Sequence, residues 1–123
     1  MIIICAQFGE IFMKYPIIIL FTALGLMVSS VVYAAEKPEY TIVLNEHKFI
    51  PEVVEIPADT KVKLIVKNED ATPAEFESDD FKREKIIQGN SQGIILVGPL
   101  AAGEYTFFDE FNEESAQGKL IVK

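Results

Sequence analysis

The sequence predicts an all-β fold, a Greek-key sandwich of seven to eight short strands. Three observations carry this. Apolar residues alternate with polar ones at the period of a pleated strand. Turn-forming residues interrupt these runs at close spacing. No stretch beyond residue 40 keeps a helical period long enough for a convincing helix.

Tyr40 to Leu44 reads as the first strand, and Asn45 to Lys48 as a turn-like break before Phe49 to Pro51. Val53 to Ile56 is a short strand that ends in the turn Pro57-Ala-Asp-Thr60. Lys61 to Lys67 puts Val62, Leu64 and Val66 on one face and Lys61, Lys63 and Lys67 on the other, the pattern of a half-buried strand. A loop from Asn68 to Pro73 leads to the extended stretch Ala74 to Ser78, and Ser78 to Phe81 fits the cap of a single helical turn. Arg83 to Ile87 and Gly93 to Val97 are further strands, separated by the turn Gln88 to Gln92. The last unit runs from Gly103 to Lys123 as two strands joined by a loop. Side chains two apart on a strand share a face, so Tyr105, Phe107 and Asp109 point the same way. If the aromatics face a core, Asp109 reaches its rim, and the loop beyond carries Glu110, Glu113 and Glu114.

The front of the chain reads differently. Met13 and Lys14 precede an apolar run from Pro16 to Met27, and Ser29 to Ala35 ends in small residues. This is the pattern of a secretory signal peptide, cut near Ala34 or Ala35, with translation starting at Met13. The alternative is an uncleaved membrane anchor, for which the run is on the short side. The expected organisation is a leader over 1–34, a polar linker over 35–40 and one domain over 41–123. Cys5 is assigned no role.

All three Met and the single Cys precede residue 28, so the exported chain has no sulfur and no disulfide. Its net charge of −8 is unchanged by removal of the leader, because Glu10 and Lys14 cancel. An acidic surface disfavours nucleic acid and anionic membranes and favours cations. No nucleophile–base pair, phosphate-binding glycine loop or basic patch is present, which argues against hydrolases, nucleotide enzymes and nucleic-acid binders.

A set of short motifs recurs in order: Phe49-x-Pro51, Val54 to Ala58, Asn68, Glu75-Phe-Glu77, Glu84-Lys85, Gly98-Pro-Leu100, Gly103-x-Tyr105-x-Phe107-Phe-Asp109-x-Phe111 and Ala116-x-Gly118-x-Leu120. With them, Tyr40 to Lys123 resembles the cupredoxin fold. Within it, the chain is similar to the small cupredoxin-like proteins and domains of bacterial periplasmic iron-uptake systems, including the N-terminal domain of EfeO-type proteins. The resemblance implies a periplasmic protein that binds iron or copper and works beside an iron permease or ferroxidase.

An electron-transfer cupredoxin has a Cys, a His and usually a Met in its last loop. The corresponding positions here are Asp109, Asn112 and about Gln117, and the upstream His falls in the region of Glu75 to Glu77. A blue-copper site needs thiolate and imidazole together, so type 1 copper chemistry is excluded for the exported chain and copper is poorly supported. The remaining donors are oxygens. Glu75 and Glu77 share one strand face, and the resemblance implies that the loops carrying them and Asp109 meet at one end of the sandwich. Such carboxylates suit hard cations, and iron is the choice that the resemblance adds. The expected metal site is Glu75 or Glu77 with Asp109, with Glu110 and Glu113 as supporting or alternative ligands. His47, the sole histidine, is included as a loop ligand that joins only if its loop folds over the site. In the alternative, the carboxylates are solvated or paired to Lys85 and Arg83.

The function expected is a periplasmic iron-binding module that assists an iron permease or another uptake component, touching the membrane only through an uncleaved leader. A ferroxidase partner of the permease and a metal-free protein-interaction sandwich are the alternatives. An enzyme is the less favoured class.

Overall fold

The computed structural model describes residues 29–33 and 35–123. Met13, Cys5 and most of the expected leader lie outside the described residues. The sandwich forms a compact unit over Glu36–Lys123. Its strands are β1 (Glu39–Asn45), β2 (Lys48–Ile50), β3 (Val53–Ile56), β4 (Val62–Asn68), β5 (Ala74–Ser78), β6 (Arg83–Ile87), β7 (Ser91–Val97), β8 (Gly103–Asp109) and β9 (Gln117–Val122). The first strand thus begins inside the stretch expected as linker. Two mixed sheets result, one ordered β2-β1-β4-β7 and the other β3-β9-β8-β5-β6. The pairs β1–β4 and β3–β9 are parallel and the remaining pairs antiparallel.

The all-β sandwich is as expected, with nine strands among the described residues rather than seven or eight. The extra count comes from the segment around Pro51. There β2 pairs with β1 in one sheet, and β3, two residues on, pairs with β9 in the other. The chain changes layer at this point, which ties the two sheets together covalently.

Alternation decides which residues enter the core. On β4, Val62, Leu64 and Val66 are buried and Lys63, Ile65 and Lys67 face outward. Between the layers three aromatic rings meet. Phe49 of β2 stands edge-on to Phe107 of β8 at 5.1 Å, and Phe76 of β5 stacks on Phe107 at 5.1 Å. These offset and edge contacts suit the quadrupoles of the rings. Each of the three is almost fully buried.

Polar groups close the loops. The β1–β2 hairpin turns through Glu46 and His47, both at positive φ, as a two-residue loop between these strands requires. Neither is glycine, and Asp70 supports the turn by accepting the N–H groups of Glu46 at 2.7 Å and His47 at 3.0 Å. Buried Asn68 donates to the carbonyls of Thr72, Ile87 and Gln88 and accepts the Asp70 N–H, so one amide pins the β4–β5 and β6–β7 connections. Ser78 to Phe81 forms a turn rather than a helix. Asp80 accepts both the N–H and the hydroxyl of Thr106, and these hydrogen bonds hold its carboxyl below the usual carboxylate range.

Gly118 lies opposite Phe107 in the β8–β9 ladder. A Cβ there would stand 2.3 Å from the Phe107 ring and 3.0 Å from the Glu52 carbonyl oxygen. The ring that joins the sheets therefore needs a residue without a side chain beside it. Gly118→Ala is expected to destabilise the fold by about 1–3 kcal/mol, the usual cost of overpacking, read from the urea unfolding midpoint.

Candidate metal centre

β8 delivers Tyr105, Phe107 and Asp109 to the inner face. Asp109 is completely buried. A buried carboxylate is costly unless donors surround it, and three do. Its Oδ1 accepts the Glu75 N–H at 2.9 Å and the Phe111 N–H at 3.1 Å, and its Oδ2 accepts the Asn112 side-chain amide at 3.2 Å. Asp109 also caps a single 3-10 turn, Glu110–Asn112.

Glu75 and Glu77 leave the sheet on the other side. Phe76 is the ladder partner of Asp109, and cross-strand partners share a face. Phe76 and Asp109 point inward, so the residues flanking Phe76 point outward. The expected grouping of Asp109 with these glutamates is therefore revised. The carboxylates come from adjacent strands but leave on opposite sides of the sheet.

Glu110 takes the place that Asp109 does not. The 3-10 turn folds over β5, and carboxylate oxygens of Glu75, Glu77 and Glu110 all lie within 4.8 Å of one another. Glu84 of β6 joins them. It stands directly across from Glu77 in the β5–β6 ladder, close enough for its carboxyl to raise that of Glu75. Like charges facing each other across a ladder are destabilising, so crowded carboxyls on one patch favour a shared proton or a cation.

The nearby cations do not supply it. Lys85 and Arg83 alternate with Glu84 on β6 and depart on its other side. The Arg83 Nε donates to the Leu96 carbonyl of β7 at 2.7 Å, and the Lys85 chain runs beside Gly93 of β7. Among the described residues no lysine or arginine forms an ion pair with Glu75, Glu77, Glu84 or Glu110. Pairing of these acids to Lys85 and Arg83 is thus not what the structure shows.

Protons respond to this crowding. The Glu75 carboxyl is pushed up to about 7, first by its hydrogen bond to Glu84, then by burial and by the Glu110 charge. The Glu77 carboxyl is also pushed up to about 7, first by its hydrogen bond to Glu110, then by burial and the charges of Glu110, Glu84 and Asp79.

Two other expected ligands stand apart. His47 sits in the β1–β2 turn with its Nδ1 3.5 Å from Asp70, outside the glutamate cluster. Glu113 closes the 3-10 turn, where its carbonyl accepts the Gln117 side-chain amide at 3.0 Å, and its carboxylate is not in the cluster. Glu84 is not among the expected ligands and enters the sequence only in the Glu84-Lys85 motif. Its signal was the alternation of Arg83, Glu84 and Lys85, which becomes legible once β5 and β6 are set in register.

The soft-metal end of the sandwich does not fit copper. Asp109 and Asn112 hydrogen-bond each other, and Gln117 bonds the Glu113 carbonyl. Each of these side chains has a partner within the protein, and none offers thiolate or imidazole.

The model of the cupredoxin-like domain matches residues 16–122. The chain belongs to the cupredoxin-like family. An uncharacterized protein of Rickettsia prowazekii (strain Madrid E) is 39% identical over 114 residues, covering 86% of this chain and 91% of the relative. Solved structures share the cupredoxin fold at low identity. A copper-binding protein in its apo form superposes with a TM-score of 0.63 at 18% identity, over 75% of this chain and 93% of its own. Auracyanin A, a blue copper protein of Chloroflexus aurantiacus, gives 0.62 at 16% identity, over 72% of this chain and all of its own. The cupredoxin scaffold is thus kept, and in this member the acidic oxygens gather on the outer face of one sheet.

The raised carboxyls make stability depend on pH. The folded chain holds these protons up to about pH 7, whereas an unfolded glutamate releases its proton near 4.5. Between those values the folded state binds more protons, so stability is highest on the acid side of the window and falls as pH rises through it. Urea midpoints measured in the presence of a chelator are expected to drop from pH 5 to pH 8. Glu77→Gln is expected to flatten that decline and raise the midpoint at pH 8.

Proposed function

We propose that this cupredoxin-like protein is a binding module for a hard cation, iron in its working setting, held by Glu75, Glu77, Glu84 and Glu110. One observation carries the reading. Glu75 is only 8% exposed and has no cationic partner, and its carboxyl faces other carboxyls across less than 5 Å. An acid set among other acids with no cationic partner is poised for a metal ion. An all-oxygen donor set selects magnesium, calcium, manganese and oxygen-preferring iron over soft copper. Iron is favoured by the likeness of Glu75-Phe-Glu77, Glu84-Lys85 and Phe108-Asp109 to cupredoxin-like domains of the EfeO type.

In that setting the protein works outside the cytoplasm, exported by its apolar leader, and passes the cation to a permease or another uptake component. When bound, the cation supplies the positive charge that the four glutamates lack. The chain's own residues bind it, orient it on the sheet face and give up the protons that Glu75 and Glu77 share with their neighbours. Binding therefore releases protons near neutral pH. A ferroxidase role would need a further redox partner, and the donor set after residue 28 contains neither Cys nor Met to hold a resident copper.

Calorimetric titration of the purified protein with ferrous iron under argon, and with manganese in air, tests the reading. Saturable binding at neutral pH is expected, with heats that vary with buffer as protons are released. Glu75→Gln and Glu77→Gln are each expected to weaken binding by at least about tenfold, the smaller end of what even an outer-shell substitution costs a metal site. Unchanged affinity in both variants would remove the proposal. Cupric ions are expected to give no intense thiolate charge-transfer colour.

A further inference from the structure

We infer that Asp109 is the positioning residue of the glutamate cluster, setting the distance between the Glu75 and Glu110 carboxylates and hence the affinity for a cation that it does not touch. The inference rests on the binding function proposed above.

The geometry begins with the short ladder between β5 and β8. Only two residue pairs build it, Phe76 with Asp109 and Glu77 with Phe108. Beyond Asp109 the chain bends into the 3-10 turn, and no strand pairing holds that turn against β5. The Asp109 side chain takes over where the ladder stops. A single oxygen, Oδ1, accepts the N–H of Glu75 on β5 and the N–H of Phe111 in the turn. A carboxylate oxygen has the lone pairs for two such donors. The two amides belong to the buried ligand itself and to the residue after Glu110. One atom on the inner face thus fixes the backbone of Glu75 and the peptide that follows Glu110.

The second oxygen is held as well. Oδ2 accepts the Asn112 amide, which comes from the last residue of the same turn. With three donors satisfied and no exposure, Asp109 has no role as a direct ligand on the other side of the sheet. Its removal would leave the buried Glu75 amide and the part-buried Phe111 amide without their acceptor, which is costly for their geometry. Asparagine keeps a carbonyl oxygen where Oδ1 stands and can serve the same two amides. Alanine cannot. The Asn112 amide can flip to meet the new NH2 group.

The test is the affinity of the purified protein for manganese, read by calorimetry or by loss of the free-ion electron paramagnetic resonance signal, with unfolding midpoints recorded in parallel. Asp109→Ala is expected to weaken manganese binding by about 10–100-fold, the range for residues that orient metal ligands, whereas Asp109→Asn stays within about threefold of the parent. Asn112→Ala, on the surface turn, is expected to weaken binding by about threefold or more through looser orientation of the Asp109 carboxylate. A loss in Asp109→Asn as large as that in Asp109→Ala would overturn the inference by making the charge itself a ligand. A lowered midpoint with parental affinity in Asp109→Ala would overturn it by making the role purely structural. If Asp109→Ala does not fold, parental affinity in Asn112→Ala overturns it. Glu77→Gln is titrated alongside: if it binds manganese like the parent, the glutamate site has failed and the inference falls with it, a result distinct from failure at Asp109 alone.

Discussion

The register of β5 against β8 governs this molecule. Phe76 faces Asp109 and Glu77 faces Phe108. Because side chains alternate across a strand, that pairing sends Phe76, Phe107 and Asp109 between the sheets and Glu75 and Glu77 to the outside. A slip of one residue would bury the glutamates and expose the aromatic centre. The cross-layer contacts of Phe49, Phe76 and Phe107 oppose that slip, so packing energy in the interior is what assembles the acidic patch outside.

Much of the fold was legible from residue order. The alternation in β4, the turn at Pro57 to Thr60 and the aromatic period of β8 each appear in the structure close to where the sequence places them. The inward orientation of Asp109 also follows from its spacing to Phe107. What could not be read was the layer change at Pro51 and Glu52. Strands of three or four residues carry little pattern, and their partners lie far away in the chain. The 3-10 turn after Asp109 was likewise read as plain loop, since its cap is made by the same aspartate that ends the strand.

The site was legible in part. Glu75, Glu77 and Glu110 were all singled out, yet Asp109 was grouped with them because the resemblance brings their loops to one end of the sandwich without showing which side of the sheet each residue leaves. Glu84 was visible only as a charged strand residue until its register with Glu77 was known. The cupredoxin scaffold helps to explain the outcome. Asp109 and Asn112 form a hydrogen-bonded pair within the sandwich, while acids gather on the outer face of the sheet.

β6 lies at the margin of its sheet, bonded to β5 alone within it. Its Glu84 stands beside the acids of β5. An ion gripped there would rivet the outermost strand to its neighbour, so loading would suppress local fraying of β6 and slow its amide exchange with solvent. The emptied molecule would then be the one with a loose border.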